Sequence, residues 1–68
     1  MKSKFAQNVL LFRKQMGLSQ RALAKEIEVS QKSIDNWELD IAEPKINQVI
    51  KLAKFFGVSI DYLVGLED

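Results

Sequence analysis

Apolar residues recur along this chain with the spacing of helices. Phe5, Val9, Phe12 and Met16 follow one another at four, three and four residues, the repeat of a single helical face. Ser3 offers an N-cap before that stripe and Gly17 a stop after it, so helix one is expected over residues 4–16. Leu18 and Ser19 place an apolar residue just ahead of a second N-cap, and Leu23, Ala24 and Ile27 form the inner stripe of a two-turn helix over 20–27. Glu28, Val29 and Ser30 make a tight connection, and Ser30 caps a third helix, 31–38, with Ile34 and Trp37 on its inner face. Pro44 interrupts the polar stretch beyond it. Ile46, Val49, Ile50, Leu52, Ala53 and Phe56 then build an apolar fourth helix that ends at Gly57. Ser59 caps a short fifth helix carrying Ile60, Leu63 and Val64, with Asp61 in its first turn. No segment alternates usefully with a period of two, and Asn-Gly and Asp-Gly turns are absent, so the expected fold class is all-α.

Composition narrows the chemistry. With 68 residues, 47% hydrophobic and 28% charged, the chain is expected to be one domain over 1–68, without a ligand-sensing or separate oligomerisation domain. It has no Cys and no His, hence no disulfide, thiolate nucleophile or imidazole base, and it lacks the usual zinc ligands. Lysines and carboxylates sit at helix-surface spacings and no glycine-rich phosphate loop exists, so no enzyme, metal, cofactor or small-molecule ligand is implied. The apolar run Val9–Phe12 is far shorter than a secretory core or a membrane span, so a cytoplasmic protein is expected.

The net charge of +1 conceals an asymmetry. Residues 1–34 hold seven basic and two acidic side chains, a net +5, whereas residues 35–68 hold three basic and seven acidic, a net −4. Such a gradient provides one face suited to a polyanion and another that is not.

From Gln20 to Trp37 the order is a helix with small residues, a three-residue turn and a second short helix with a polar outer face, the arrangement of a helix-turn-helix. Ala24 is small enough for close approach, while Leu23, Ile27, Val29, Ile34 and Trp37 can pack as one hub. Gln31, Lys32, Asp35 and Asn36 then point outward. Gln and Asn can pair bidentately with adenine, and Lys can donate to guanine O6 and N7. Solvated helix faces carry the same residue types, so these residues alone leave both readings open.

Nearly the whole chain resembles the phage-repressor and Cro-type helix-turn-helix family, also called the Xre family. The resemblance rests on Arg13, GLSQ at 17–20, LAKEI at 23–27, VSQKSI at 29–34, WE at 37–38, Pro44 and LAKFFGVSIDYLVG at 52–65. It implies a five-helix, lambda-repressor-like domain that binds double-stranded DNA as a transcriptional regulator, a repressor of bacterial or prophage origin. Helix two would cross the phosphate backbone with Gln20 at its N-terminus, where free amide N–H groups suit a phosphate. Helix three would enter the major groove, with Gln31, Lys32 and Asn36 at base-reading positions and Ser30 and Ser33 as flanking phosphate contacts. Lys45 matches a position where basic relatives reach the backbone or the minor groove. Arg13 and Glu38 match a partly buried structural ion pair, and the family places a core residue at Trp37. Ile60, Asp61 and Tyr62 match the dimer contact of a homodimer on a near-palindromic operator, its half-sites about one helical turn apart.

The chain departs from the family pattern at several positions. Glu28 and Asp40 stand where glycine is usual; both are expected at positive φ, at a cost of order 1 kcal/mol for Glu28. The segment Leu39–Glu43 is acidic and apolar where many relatives are basic, which predicts modest affinity for a monomer, with ~3–5 phosphate contacts. Leu10 and Leu11 lie off the main stripe of helix one, either as a partner surface or as the edge of a broad buried face. That pair and the acidic 35–43 segment support an alternative function, an antitoxin-like or anti-regulatory protein-interaction module on the same scaffold.

Overall fold

A computed structural model describes residues 2–67. Its helices are α1 (Lys4–Gln15), α2 (Gln20–Ile27), α3 (Gln31–Glu38), α4 (Ile46–Phe56) and α5 (Ile60–Val64), and no strand occurs among the described residues. Local chemistry accounts for the boundaries. Ser3, Ser19, Ser30 and Ser59 each accept at Oγ from the backbone N–H three residues on, at Ala6, Ala22, Ser33 and Tyr62. At the start of α4 the direction is reversed, with the Lys45 N–H donating to Gln48 Oε1 at 2.8 Å. The helices α2, α4 and α5 end in left-handed residues at Glu28, Gly57 and Gly65.

Helix α1 is one residue shorter than its apolar spacing predicts. Gly17 donates to the Lys14 carbonyl and Leu18 to that of Arg13, which turns the chain early, leaving Met16 as the C-cap and 49% exposed. Met16 therefore does not continue the buried stripe. Of the off-stripe pair, Leu10 is half-buried and Leu11 exposed.

The core joins all five helices. Val9, Leu23, Ile34, Leu52 and Leu63 are fully enclosed, each contributing about 1.5–3 kcal/mol by leaving water. Trp37 is buried, with the Phe5 ring edge-on to it at 6.1 Å between centroids. Asn8 Nδ2 donates to the carbonyls of Tyr62 and Leu63 at 3.1 and 3.0 Å, tying the C-terminal end of α5 to α1. Gly65, at φ 88°, lets that end approach so closely that a Cβ there would overlap the Lys4 side chain. Among the described residues no helix is long and apolar enough to cross a membrane.

Glu28 and Asp40 have φ of 61° and 62°. They differ in what their side chains do. Glu28 reaches only Lys51, at 3.6 Å on the surface. Asp40 accepts from the Ser3 N–H at 2.6 Å and the Ser3 Oγ–H at 3.0 Å, binding the loop after α3 to the start of α1.

Candidate nucleic-acid interface

Helices α2 and α3 pack through Leu23, Ala24, Ile27, Ile34 and Trp37, all buried, with Val29 of the connection partly buried against them. Only 3% of Ala24 is exposed, and its small side chain permits the close crossing. This contact sets which side of α3 remains outside: Gln31 and Lys32 are exposed, while Asp35 and Asn36 are half-buried.

A polar clamp behind α3 fixes its orientation further. Arg13 donates from Nε to Glu38 Oε2 at 2.6 Å and from Nη2 to Oε1 at 2.9 Å, a two-pronged pair, and from Nη1 to the Leu18 carbonyl at 2.9 Å. Gln20 Nε2 adds a bond to Glu38 Oε1 at 3.0 Å. The side chains of Arg13 and Glu38 are only 12% and 6% exposed, so this carboxylate receives from protein donors what water would otherwise supply. Hydrogen bonding to Glu38 holds the Arg13 guanidinium protonated above even its ordinary high pKa; burial opposes this, and the Glu38 charge adds to it. One pair thereby links α1, the α1–α2 turn, α2 and α3.

The remaining sequence-predicted residues divide by geometry. The Gln20 side chain is turned toward α3, donating to Asp35 Oδ1 at 3.2 Å as well as to Glu38, so its amide nitrogen is engaged inside the protein. Ser30 accepts from the Ser33 N–H, and the two hydroxyls pair at 3.0 Å, so both shape the α3 N-terminus. Asn36 lies one turn beyond Lys32, with Oδ1 shielded from solvent and without a hydrogen-bond partner among the described residues. Lys45 is exposed at the start of α4. Ile60 and Tyr62 are 39% and 38% exposed beside exposed Asp61, and the Tyr62 ring meets Phe12 edge-on at 6.0 Å.

Three contacts were not legible in the residue pattern: Asp40 on Ser3, Asn8 on the α5 carbonyls, and Gln20 on Asp35. Each joins residues distant in sequence through side chains that are unremarkable locally. Asp35, Gln20, Gln31 and Lys32 together line a shallow, open depression at the N-terminal ends of α2 and α3.

Comparison with known proteins agrees with this geometry. A family model described as helix-turn-helix matches residues 10–63. The HTH-type transcriptional regulator YobD of Bacillus subtilis, itself uncharacterized, is 30% identical over 64 residues, covering 94% of this chain and 57% of that protein; the chain thus spans little more than half of this relative. The P22 c2 repressor, solved in complex with a synthetic operator, superposes with a TM-score of 0.86 at 30% identity, covering 93% of this chain and 96% of that one. The fold also recurs within hydroxypropylphosphonic acid epoxidase from S. wedmorenis, at a TM-score of 0.80 and 25% identity, where the match covers 93% of this chain and 34% of the enzyme. With its five-helix, lambda-repressor-like architecture and a family match over most of its length, the chain belongs to the helix-turn-helix family, of the Xre type that its motifs resemble.

Proposed function

We propose that this chain binds duplex DNA sequence-specifically as a transcriptional regulator, a repressor acting as a homodimer on a near-palindromic operator, with α3 in the major groove. The observation that carries the reading is the division of α3: Ile34, Trp37 and Glu38 are locked into the core and clamp, leaving Gln31 and Lys32 exposed and Asn36 half-buried outside them. These are side chains of the types that pair with base edges, presented from a helix held by its buried face and by the Arg13–Glu38 clamp. Likeness to the P22 c2 repressor, which was solved in complex with a synthetic operator, supports DNA binding. The backbone N–H groups at the start of α2, the Ser30 and Ser33 hydroxyls, and Lys45 take the phosphate contacts. Ile60, Asp61 and Tyr62 form the two-fold contact.

Selection of bound sequences from a random duplex pool tests this directly, and a two-fold-related motif is the expected result. On the selected site, Gln31→Ala and Asn36→Ala relax preference at particular base pairs by ~1–3 kcal/mol, whereas Lys45→Ala weakens all sequences alike and lowers the salt slope by about 1. A pool with no enriched motif would overturn the reading. One observation favours a second function, protein interaction: Leu39 and Ile41 are 51% and 68% exposed within the acidic loop, where a phosphate-binding surface would be basic. Absence of enrichment would support that alternative.

A further inference from the structure

We propose that Asp35 is a specificity-determining residue, whose carboxylate accepts a hydrogen bond from an exocyclic amino group in the major groove, cytosine N4 foremost, while Gln20 positions it. The inference rests on the DNA-binding reading above and adds a contact to it. Asp35 lies one turn beyond Gln31 on the open side of α3 and shares the depression with Gln31, Lys32 and Gln20. Its Oδ1 is held by Gln20 Nε2 at 3.2 Å, and the same nitrogen is anchored at 3.0 Å to Glu38, which is itself fixed by Arg13. The Asp35 side chain is thus tethered, through Gln20, to the Arg13–Glu38 pair. Its Oδ2 accepts no hydrogen bond, and no Lys or Arg forms an ion pair with it, among the described residues.

A carboxylate facing a polyanion is unfavourable unless it meets a donor. It has lone pairs and no proton to give, so it distinguishes bases more sharply than an amide, which can donate and accept. In the major groove cytosine N4 and adenine N6 are donors, whereas guanine N7 and O6 and thymine O4 are acceptors. Asp35 therefore accepts the first pair and repels the second, and much of its selectivity is rejection of the wrong base. The tether matters because an untethered carboxylate could swing out to water and forgo the discrimination.

Wild type, Asp35→Ala and Asp35→Asn are each taken through selection from the same random duplex pool. Titrations against the wild-type site and its single base-pair variants come next, with thermal melts of each protein. In the wild type, exchanging C·G for T·A at that base pair in one half-site replaces the N4 amino group by O4 and is expected to weaken binding roughly 5- to 150-fold. Asp35→Ala flattens that preference to within about twofold while discrimination persists at other positions. Asp35→Asn keeps an oxygen for Gln20 and gains a donor, so its preference at the same base pair moves toward adenine. Identical base preferences in all three proteins, or a uniform loss at every position in Asp35→Asn, would overturn the proposal by reducing Asp35 to a structural role. A wild type that selects a motif without any amino-group preference also overturns it, and does so without touching the DNA-binding reading. Failure of the wild type to select any motif removes both.

Discussion

Replacing Arg13 by Met removes the guanidinium while keeping most of the apolar stem, and the clamp geometry sets the cost. Glu38 would be left in a site where its side chain is 6% exposed, with Gln20 as its remaining side-chain donor. Stranding a buried charge in this way costs ~3–5 kcal/mol. Loss of the bond to the Leu18 carbonyl adds about 1 kcal/mol or less, because that oxygen lies toward the surface turn. The expected loss is therefore roughly 3–6 kcal/mol, against a total stability of roughly 3–10 kcal/mol for a domain of this size. Urea unfolding followed by far-UV circular dichroism and by fluorescence of the buried Trp37 measures it. Glu38→Leu combined with Arg13→Met should recover at least about 2 kcal/mol relative to the sum of the single losses, since an apolar pair leaves no stranded charge. The pH dependence has a definite sign. Because the Arg13 pKa is raised by its bond to the Glu38 carboxylate, its contribution is constant across the neutral range and is lost as pH climbs past the ordinary arginine range through the higher folded value. A loss below about 1 kcal/mol, or additive single and double variants, would show that the pair behaves as two surface charges and refute the clamp.

Two left-handed residues with nearly equal φ should respond oppositely to glycine. Glu28→Gly removes backbone strain and only an exposed contact to Lys51, so the melting temperature should rise, by up to about 1 kcal/mol of stability; an unchanged or lower midpoint would show that no strain is held there. Asp40→Gly removes the same strain but also both bonds to Ser3, and should lower stability by about 1 kcal/mol or more in the same melt. Gly65→Ala places a methyl against the Lys4 side chain at φ 88°, and should cost ~1–3 kcal/mol by lifting the end of α5 from α1, read as faster hydrogen exchange in α5; unchanged exchange would show that the approach is not tight.

Much of this molecule is written locally. Ser3, Ser19, Ser30 and Ser59 announce helix starts because a hydroxyl satisfies an orphan N–H within its own first turn, a bond that needs no distant partner. The buried faces of α2 and α3 are readable for a similar reason, since Leu23, Ile27, Ile34 and Trp37 declare themselves by helical spacing. Met16 shows where such reading fails: periodicity says which face a residue occupies, but only the chain reversal at Gly17 decides whether anything lies opposite.

At the interface the residue types were legible and their commitments were not. Gln20 reads as a phosphate ligand by position, yet its amide is engaged by Asp35 and Glu38, and Asp35 passes for a solvated charge until that bond and the shared depression are seen. Asp40 reads as a tolerated replacement for glycine, and becomes a bridge only when the loop after α3 meets the start of α1. Residue order alone was enough to specify five helices, the four serine caps, the helix-turn-helix and the polar side of α3, because these arise from spacing and from hydrogen bonds closed within a turn. Which polar groups are free to meet a ligand was settled by folding, because hydrogen-bonding capacity is finite and its allocation depends on partners brought together from distant parts of the chain.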